Sequence, residues 1–444
     1  VENLLIILLA LTCTVIPFWM GERYGLVRLV SPMHLLAYFC AFGFLIKVAV
    51  YSADPALAFF DQYIDTAGAM PRGAVYLAAF VILMCLGYRL ALRPCDPQLA
   101  IREARLIAGG LVRQGWLFFA AFGVAGLTFA LILQARGMSL FSADLLTAFN
   151  QDKQINVNRD GVGATLAGIK MLFVVPKCAF VMLLAQGLVL RAPWLMLQAG
   201  VLALLLVVIA LVSGDRFELV ELLVFACATY LIVVGLPGLR SVLWMMAGAV
   251  GVFTMAAYMT ALRGVDASLL EQVVRSTYFL DINAAVMVTD QVGPETYLLG
   301  ESYGWWTFGW VPRALWLDKP AIDLGVFFKR DVMGVMTGGA FNVTGPGEAF
   351  INFGWAGAVV GFVLGWVYRR AEVILLAPHH CLRFGAFYLY PLLLYPFVQA
   401  TLHSSFSGFI VAAVVQAVLI IAMIVVFVPR LRPLPVRHLG VAHV

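Results

Sequence analysis

The chain reads as an all-α, polytopic membrane protein, and three observations carry that reading. Hydrophobic residues make up 63% of its 444 positions and charged residues 12%, against ~45–50% and ~25% in a soluble domain. The mean hydropathy is +0.96, more apolar side chain than a soluble core of this length can hide. The apolar residues gather into runs of about twenty, the length a helix needs to cross ~30 Å of hydrocarbon. These properties exclude a soluble enzyme, a disordered tail and a secreted disulfide scaffold. The net charge of +5 arises from 29 basic and 24 acidic residues, and no run of like charge points to nucleic acid.

About eleven spans are predicted, at roughly 3–20, 29–50, 73–92, 115–135, 164–188, 194–213, 217–236, 242–262, 351–368, 384–401 and 408–428. The first has only Glu2 ahead of it and no small-residue cleavage site behind it, so it reads as a retained span rather than a secretory leader. Loop charge sets the sidedness. Arg23, Arg28, Arg93, Arg102, Arg105, Arg113, Arg191, Arg240, Arg369, Arg370, Arg383, Arg430, Arg432 and Arg437 fall in one alternating set of segments. That set is assigned to the cytoplasm, which puts the N-terminus outside and the C-terminus inside. The seven cysteines lie in apolar runs or cytoplasmic segments, so no disulfide framework is predicted. Three parts follow: 1–262 with about eight spans, a large outer loop over 263–350, and 351–444 with three spans and a short tail.

Ionisable groups inside hydrocarbon cost ~2.5–3.5 kcal/mol each on insertion scales, so each asks for a partner or a function. Lys170 and Lys177 share one face of the fifth span, and Glu218 and Glu221 share a face at the outer end of the seventh. Lys170 and Glu221 fall at similar depth and can pair across the bundle. The plain reading is a structural ion pair; the functional one is a basic column continuing an anion site from the outer face. Arg216, in the turn Ser213-Gly214-Asp215-Arg216, and Arg263, in Leu262-Arg263-Gly264, stand at outer helix ends. Singly, each reads as an interfacial snorkelling side chain.

The segment 263–350 is too long for a plain connection, and such loops are usually functional. Ala267 to Val288 reads as one or two short helices, with Leu269, Leu270, Val273, Val274 and Tyr278 forming an amphipathic piece on the membrane surface. Gly304-Trp305-Trp306-Thr307-Phe308-Gly309-Trp310 is an aromatic belt or a sugar-stacking surface. Basic groups follow at Arg313, Lys319, Lys329 and Arg330, suited to phosphate oxygens. Gly338-Gly339 and Thr344-Gly345-Pro346-Gly347-Glu348 then lead into the ninth span. Glu348 at that mouth suits either a general base or a charge satisfying the helix dipole. Asn342-Val343-Thr344 matches a glycosylation sequon, a weak signal.

The pattern Pro312-Arg313, Asp318-Lys319-Pro320, Gly345-Pro346-Gly347-Glu348 and Asn352-Phe353-Gly354-x-x-Gly357 resembles the signature of bacterial oligosaccharide repeat-unit polymerases of the Wzy type. The turns bearing Arg216 and Arg263 resemble the arginine-bearing outer turns of that family. The resemblance implies a fold of the O-antigen ligase, GT-C-like group, in the bacterial inner membrane with the active site on the periplasmic side. It implies transfer of glycan from undecaprenyl diphosphate to a sugar hydroxyl of a second lipid-linked unit, with membrane lipid and a chain-length regulator as partners. Ligase relatives carry a histidine where this chain has Glu348, so Glu348 is the implied base and His403 the reserve.

Diphosphate is a good leaving group, so the site needs cations more than an acid. The first outer loop holds Asp54, Asp61 and Asp65 without D-x-D spacing. A metal-independent, cofactor-free site built from Arg216, Arg263, Arg313, Lys319 and Lys170 is therefore expected. Two alternatives stand beside the polymerase: a ligase delivering glycan to another acceptor, and a transporter or flippase of a lipid-linked sugar. A transporter would place its charges near the midplane on broken helices.

Overall fold

The computed structural model describes residues 2–64, 68–92, 97–110, 114–135, 171–213, 216–261, 271, 274–275, 280–311, 315–316, 319, 322–335, 340–376 and 389–428. Every regular element among them is helical. Nine stretches are long and apolar enough to cross a membrane. They are α1 (Glu2–Tyr24), α2 (Pro32–Ala53, with a π turn over Ala41–Leu45), α3 (Ala69–Leu90), α5 (Gln114–Ala135), α6 (Val174–Leu190), α7 (Pro193–Ser213), α9 (Leu239–Ala261), the stretch Thr344–Leu376, and α17 (Phe406–Phe427). A shorter helix, α4 (Pro97–Gly109), precedes α5. The outward faces carry large exposed apolar side chains, among them Leu8 and Val15 on α1, Phe119 and Leu127 on α5, and Val418 and Val425 on α17. Water would not tolerate such a surface, whereas lipid solvates it and each helix satisfies its own backbone. The chain is a multi-pass α-helical membrane protein.

The other two expected spans are helical but fall short on length or charge. The helix α8 (Arg216–Val233) places Arg216, Glu218 and Glu221 in its first six residues. The described part of the tenth expected span is α16 (Tyr390–Val398) and a π turn over Gln399–His403.

The ninth span begins later than its apolar run suggests. Thr344–Phe353 forms a separate helix, α14, and the chain turns at Gly354 (φ 57°, ψ −137°) before α15 (Ala358–Leu376) descends. That backbone conformation is open to glycine and closed to residues with a Cβ. Tyr76 of α3 touches α14 and the turn beyond it, its hydroxyl donating to Pro346 O at 2.8 Å and its ring lying 4.8 Å from that of Phe350 and 5.9 Å from that of Trp355. The helix α14 therefore runs across α3, and only α15 runs alongside it. The expected span 351–368 joined these two pieces because the sequence is apolar through both. At its far end α15 extends past the expected limit by pairing its own charges. Arg369 donates to Glu372 at 2.7 Å, and Glu372 also accepts from Tyr88 at 2.5 Å and from Leu26 N at 2.9 Å.

The α3–α15 contact is a glycine seam. A Cβ on Gly365 would lie 1.9 Å from Met84 O, one on Gly361 2.4 Å from Phe80 O, and one on Gly87 1.9 Å from Phe362 O. Small residues four apart let two helix backbones touch, the packing that lipid favours when it offers no hydrophobic drive.

The long segment after α9 packs into the bundle. A helix at Ile282–Gln291 (α10) is buried from Ile282 to Thr289 and lies against α3 and α14. Of the stretch 267–288 read as short helices, the described part from Ile282 enters the core; of the residues read as an amphipathic piece on the membrane surface, Leu269, Leu270, Val273 and Tyr278 lie outside the described residues. Asp281 caps α10 through Asn283 N at 2.9 Å and pairs with Lys47 of α2. Tyr51 of α2 donates to Val274 O at 2.6 Å. Five short helical pieces follow among the described residues, of which α11 (Glu301–Gly304), α12 (Trp306–Gly309) and α13 (Leu324–Phe327) approach α14 and α17.

The seam makes a direct prediction. Gly365→Ala should lower the unfolding temperature of the detergent-solubilised protein, at a cost of at least ~1–3 kcal/mol. Gly126→Ala, with open space around that position, should leave the temperature unchanged or raise it. Equal effects in a thermal scan would mean that α3 and α15 do not touch through backbone.

Candidate functional site

At the end of the bundle where the long segment packs, the starts of α14, α17 and α13 meet in one buried corner. Glu348, the fifth residue of α14, is 1% exposed. Its Oε1 accepts from Ser302 Oγ at 2.8 Å and its Oε2 from Phe406 N at 2.5 Å. Phe406 is the first residue of α17, so the carboxylate sits where that helix presents an unpaired N–H and the positive end of its dipole. Asn352, one turn along from Glu348, donates to Ser302 Oγ at 2.7 Å and to Glu348 O at 2.9 Å. Its Oδ1 accepts from Gly300 N at 2.9 Å. Ser407 donates to Ser302 O and accepts from Trp306 N. The short helices are thus tied to α14 and α17 by a continuous polar network.

A second carboxylate joins the corner. Asp323 caps α13, its Oδ1 accepting from Gly325 N at 2.9 Å and from Ser405 Oγ at 3.3 Å. It keeps some solvent contact, yet the protein packed around it pushes its carboxyl above the usual range. Asn342 fills the remaining side, donating to His403 O at 2.9 Å and accepting from Thr344 N at 3.2 Å. Its amide is thereby used inside the fold. Thr344 itself holds φ 61°, a conformation a β-branched residue adopts only when its surroundings impose it. The next residue, Gly345, lies so close to Thr401 O that a Cβ there would stand 1.9 Å away.

The structure brings two of the sequence-derived candidates to this corner and leaves others elsewhere. Glu348 and His403 stand on facing elements, and His403 is buried. Both Glu348 oxygens are engaged, so in this conformation the carboxylate holds the start of α17. Lys319 donates to Gly309 O at 2.9 Å and to Val311 O at 2.8 Å, closing the end of α12. Arg216 begins α8, and its side chain is not among the described groups; Lys170, Arg263 and Arg313 lie outside the described residues. Asp323, Ser302 and Ser405 were not singled out from sequence, and Asn342 and Asn352 were read only as parts of a sequon and of the family pattern. Asp323 had a local signal, a capping residue before a short apolar run; the others come from segments up to about a hundred residues apart.

The intramembrane charges form a separate group. Lys177 of α6 pairs with Glu218 and, at 2.5 Å, with Glu221 of α8. Lys170, expected at the depth of Glu221, lies outside the described residues; among the described residues the ammonium that reaches Glu221 is Lys177, further along the chain. Among the described residues, one cation meets two carboxylates. That arrangement argues against Lys177 as the lower part of an anion-binding column, because a phosphate would have to displace the carboxylates that already hold it.

No protein-family model matches this chain, and no curated protein or solved structure matches it either.

Asp323 gives the corner a pH dependence of known sign. Burial favours the neutral carboxyl, so its stabilising contribution is complete below the unfolded carboxylate range and is lost as pH rises through its raised value. Asp323→Asn keeps an oxygen for Gly325 N and removes the charge. The variant should unfold at a higher temperature than wild type at pH 8, and the gap should close toward pH 4. A gap that does not change with pH would show that burial is not what acts on Asp323.

Proposed function

We propose that this protein joins undecaprenyl-diphosphate-linked oligosaccharide units at the periplasmic face of the bacterial inner membrane, without a metal. The chain would cross eleven times, with α8 and the 384–401 region as the two further crossings. The observation that carries the reading is the corner itself. It gathers carboxylates, amides and helix starts at one end of the bundle, with the short helix α12 and Lys319 beside it. Arg28, Arg191 and Arg240 lie at helix ends away from the corner, and Arg105 and Arg369 reach Val233 O and Tyr24 O at the ends of α8 and α1, which supports that end as cytoplasmic.

In this mechanism the arginine and lysine groups at the outer ends take the diphosphate charge as the anomeric bond breaks. A base takes the proton of the acceptor hydroxyl. Glu348 can do so once a substrate draws it from Phe406 N or Ser302, and His403, in the facing element, is the alternative. A ligase would use the same donor chemistry with another acceptor.

A transporter is the second reading, and two observations favour it: the break at Gly354 between α14 and α15, and the paired charges of Lys177, Glu218 and Glu221 within the bundle. A reconstituted assay with a lipid-linked repeat unit separates the three. A ladder of products is expected; a single transfer to a different acceptor means a ligase, and movement across the bilayer with no new bond means a transporter. Activity should survive EDTA, and loss restored by Mg²⁺ or Mn²⁺ would overturn the metal-independent site.

Glu348→Gln separates the chemical role from the structural one. The amide can keep an oxygen on Phe406 N and donate to Ser302 Oγ, so the fold should hold. If Glu348 is the base, turnover should fall ~10²–10⁴-fold with substrate binding nearly unchanged. Normal ladders from the folded variant would leave Glu348 as a helix-start group and move the test to His403→Ala. For sidedness, Leu299→Cys and Leu315→Cys, exposed at 79% and 81% in wild type, should react with an impermeant thiol reagent from outside. Cysteines placed in 97–110 should not, and the reverse pattern would invert the topology.

A further inference from the structure

A cavity of about 170 Å³ lies between α6, α8, α16 and α17, and nothing in the corner described above uses it. Lys177, Glu218 and Glu221 line one side, with Gln399 of the π turn and Gln416 of α17 among the other walls. Glu218 and Glu221 stand roughly 3 and 8 Å along α8, and Gln416 roughly 15 Å along α17, at ~1.5 Å per residue. The cavity therefore reaches from the corner's end of the bundle toward its middle. A polar cavity at that depth is costly unless something hydrogen-bonds its lining.

Its chemistry narrows the occupant. Among the described lining residues the one ammonium, Lys177, is already held by Glu218 and Glu221, so it is not open to a phosphate. The side-chain amides of Gln399 and Gln416 make no hydrogen bond to another described residue, and each offers both donor and acceptor positions. Apolar and aromatic surface completes the wall, including Phe409 and the edge-to-face pair Phe225–Tyr395 at 5.8 Å. Carboxylate, amide and ring faces together suit a ligand with many hydroxyls and apolar C–H faces. The volume is below the ~300–1,000 Å³ of a pocket for a drug-sized molecule, so it suits one ring rather than an oligosaccharide.

We propose that this cavity binds one uncharged sugar ring of the lipid-linked glycan, away from the group that holds the diphosphate. The inference rests on the polymerase reading for the identity of the lipid carrier. The hydroxyls of the ring replace the water that would otherwise hydrate Gln399, Gln416 and the carboxylates. Lys177 holds Glu218 and Glu221 in place for them.

The test compares two ligands on the full-length protein in nanodiscs: undecaprenyl-diphosphate-linked oligosaccharide extracted from the source cell, and bare undecaprenyl diphosphate. Gln399→Leu/Gln416→Leu removes both amides with little change of shape, and Ala412→Phe fills the cavity. Both should unfold at the wild-type temperature, and the double variant should lose about tenfold in affinity for the sugar-bearing lipid. Ala412→Phe should lose at least as much, and affinity for the bare lipid should stay unchanged in both. Equal loss for the two lipids, or no loss for either in a folded variant, would overturn the proposal. Should one variant misfold, the other decides. If wild type shows the sugar-dependent contrast yet forms no polymer, the polymerase reading fails and the sugar site stands. If wild type polymerises and the variants bind both lipids normally, the site fails and the reading stands. A wild type that binds neither lipid overturns both.

Discussion

The backbone contact between α3 and α15 is the constraint on which the remaining architecture depends. Gly361 and Gly365 on one helix and Gly87 on the other bring main chains within reach of each other's carbonyls. In lipid, helices gain nothing from burying apolar surface that the tails already solvate, so close packing has to supply the association. Once α15 is seated on α3, the same α3 carries the rest of the corner. Val286 of α10 lies against Gly73, and Pro346 of α14 accepts from Tyr76. The position of Glu348 is therefore set by contacts made well away from it.

Buried charge shows the same economy at both ends of the bundle. Glu372 is met by Arg369, Tyr88 and Leu26 N, and Asp281 by Lys47 and Asn283 N. Each arrangement joins two or more helices, and removing one partner would leave the other charged in a medium that cannot hydrate it. The group around Lys177 differs because a cavity with the amides of Gln399 and Gln416 on its walls lies beside it. That is where the bundle keeps polar capacity beyond what its own packing uses.

The corner at Glu348 combines support with chemistry. A carboxylate at the first N–H of α17 stabilises the helix start, and the serines and asparagines around it fasten the short helices of the long segment. Such a group is held in register, which a base also requires, and its engagement in the closed corner means that proton transfer calls for a change of partner. Thr344 in a left-handed conformation beside it marks the place where the chain holds strain.

The sequence by itself determined the class of protein. Run length and composition decide the membrane-crossing helices, because a bilayer reads each helix through its own hydropathy, and Ile282–Gln291 or Arg216–Val233 could be recognised as helices by the same local measure. What Ile282–Gln291 does with its apolar face was open until the bundle was seen: a continuous apolar run is compatible with a surface or with a core, and only the neighbour at Gly73 decides. Glu348 stood out from sequence as a carboxylate at a helix mouth, whereas its place inside α14 follows from the turn at Gly354. The pairing of Lys177 with Glu218 and Glu221 likewise depends on helix rotation, which spacing along one face does not specify. Ser302, Asp323, Asn342 and Ser405 meet only in three dimensions. Hydropathy is a property of a segment and survives in one dimension; a hydrogen bond between residues a hundred positions apart is a property of packing, and tertiary structure alone decides it.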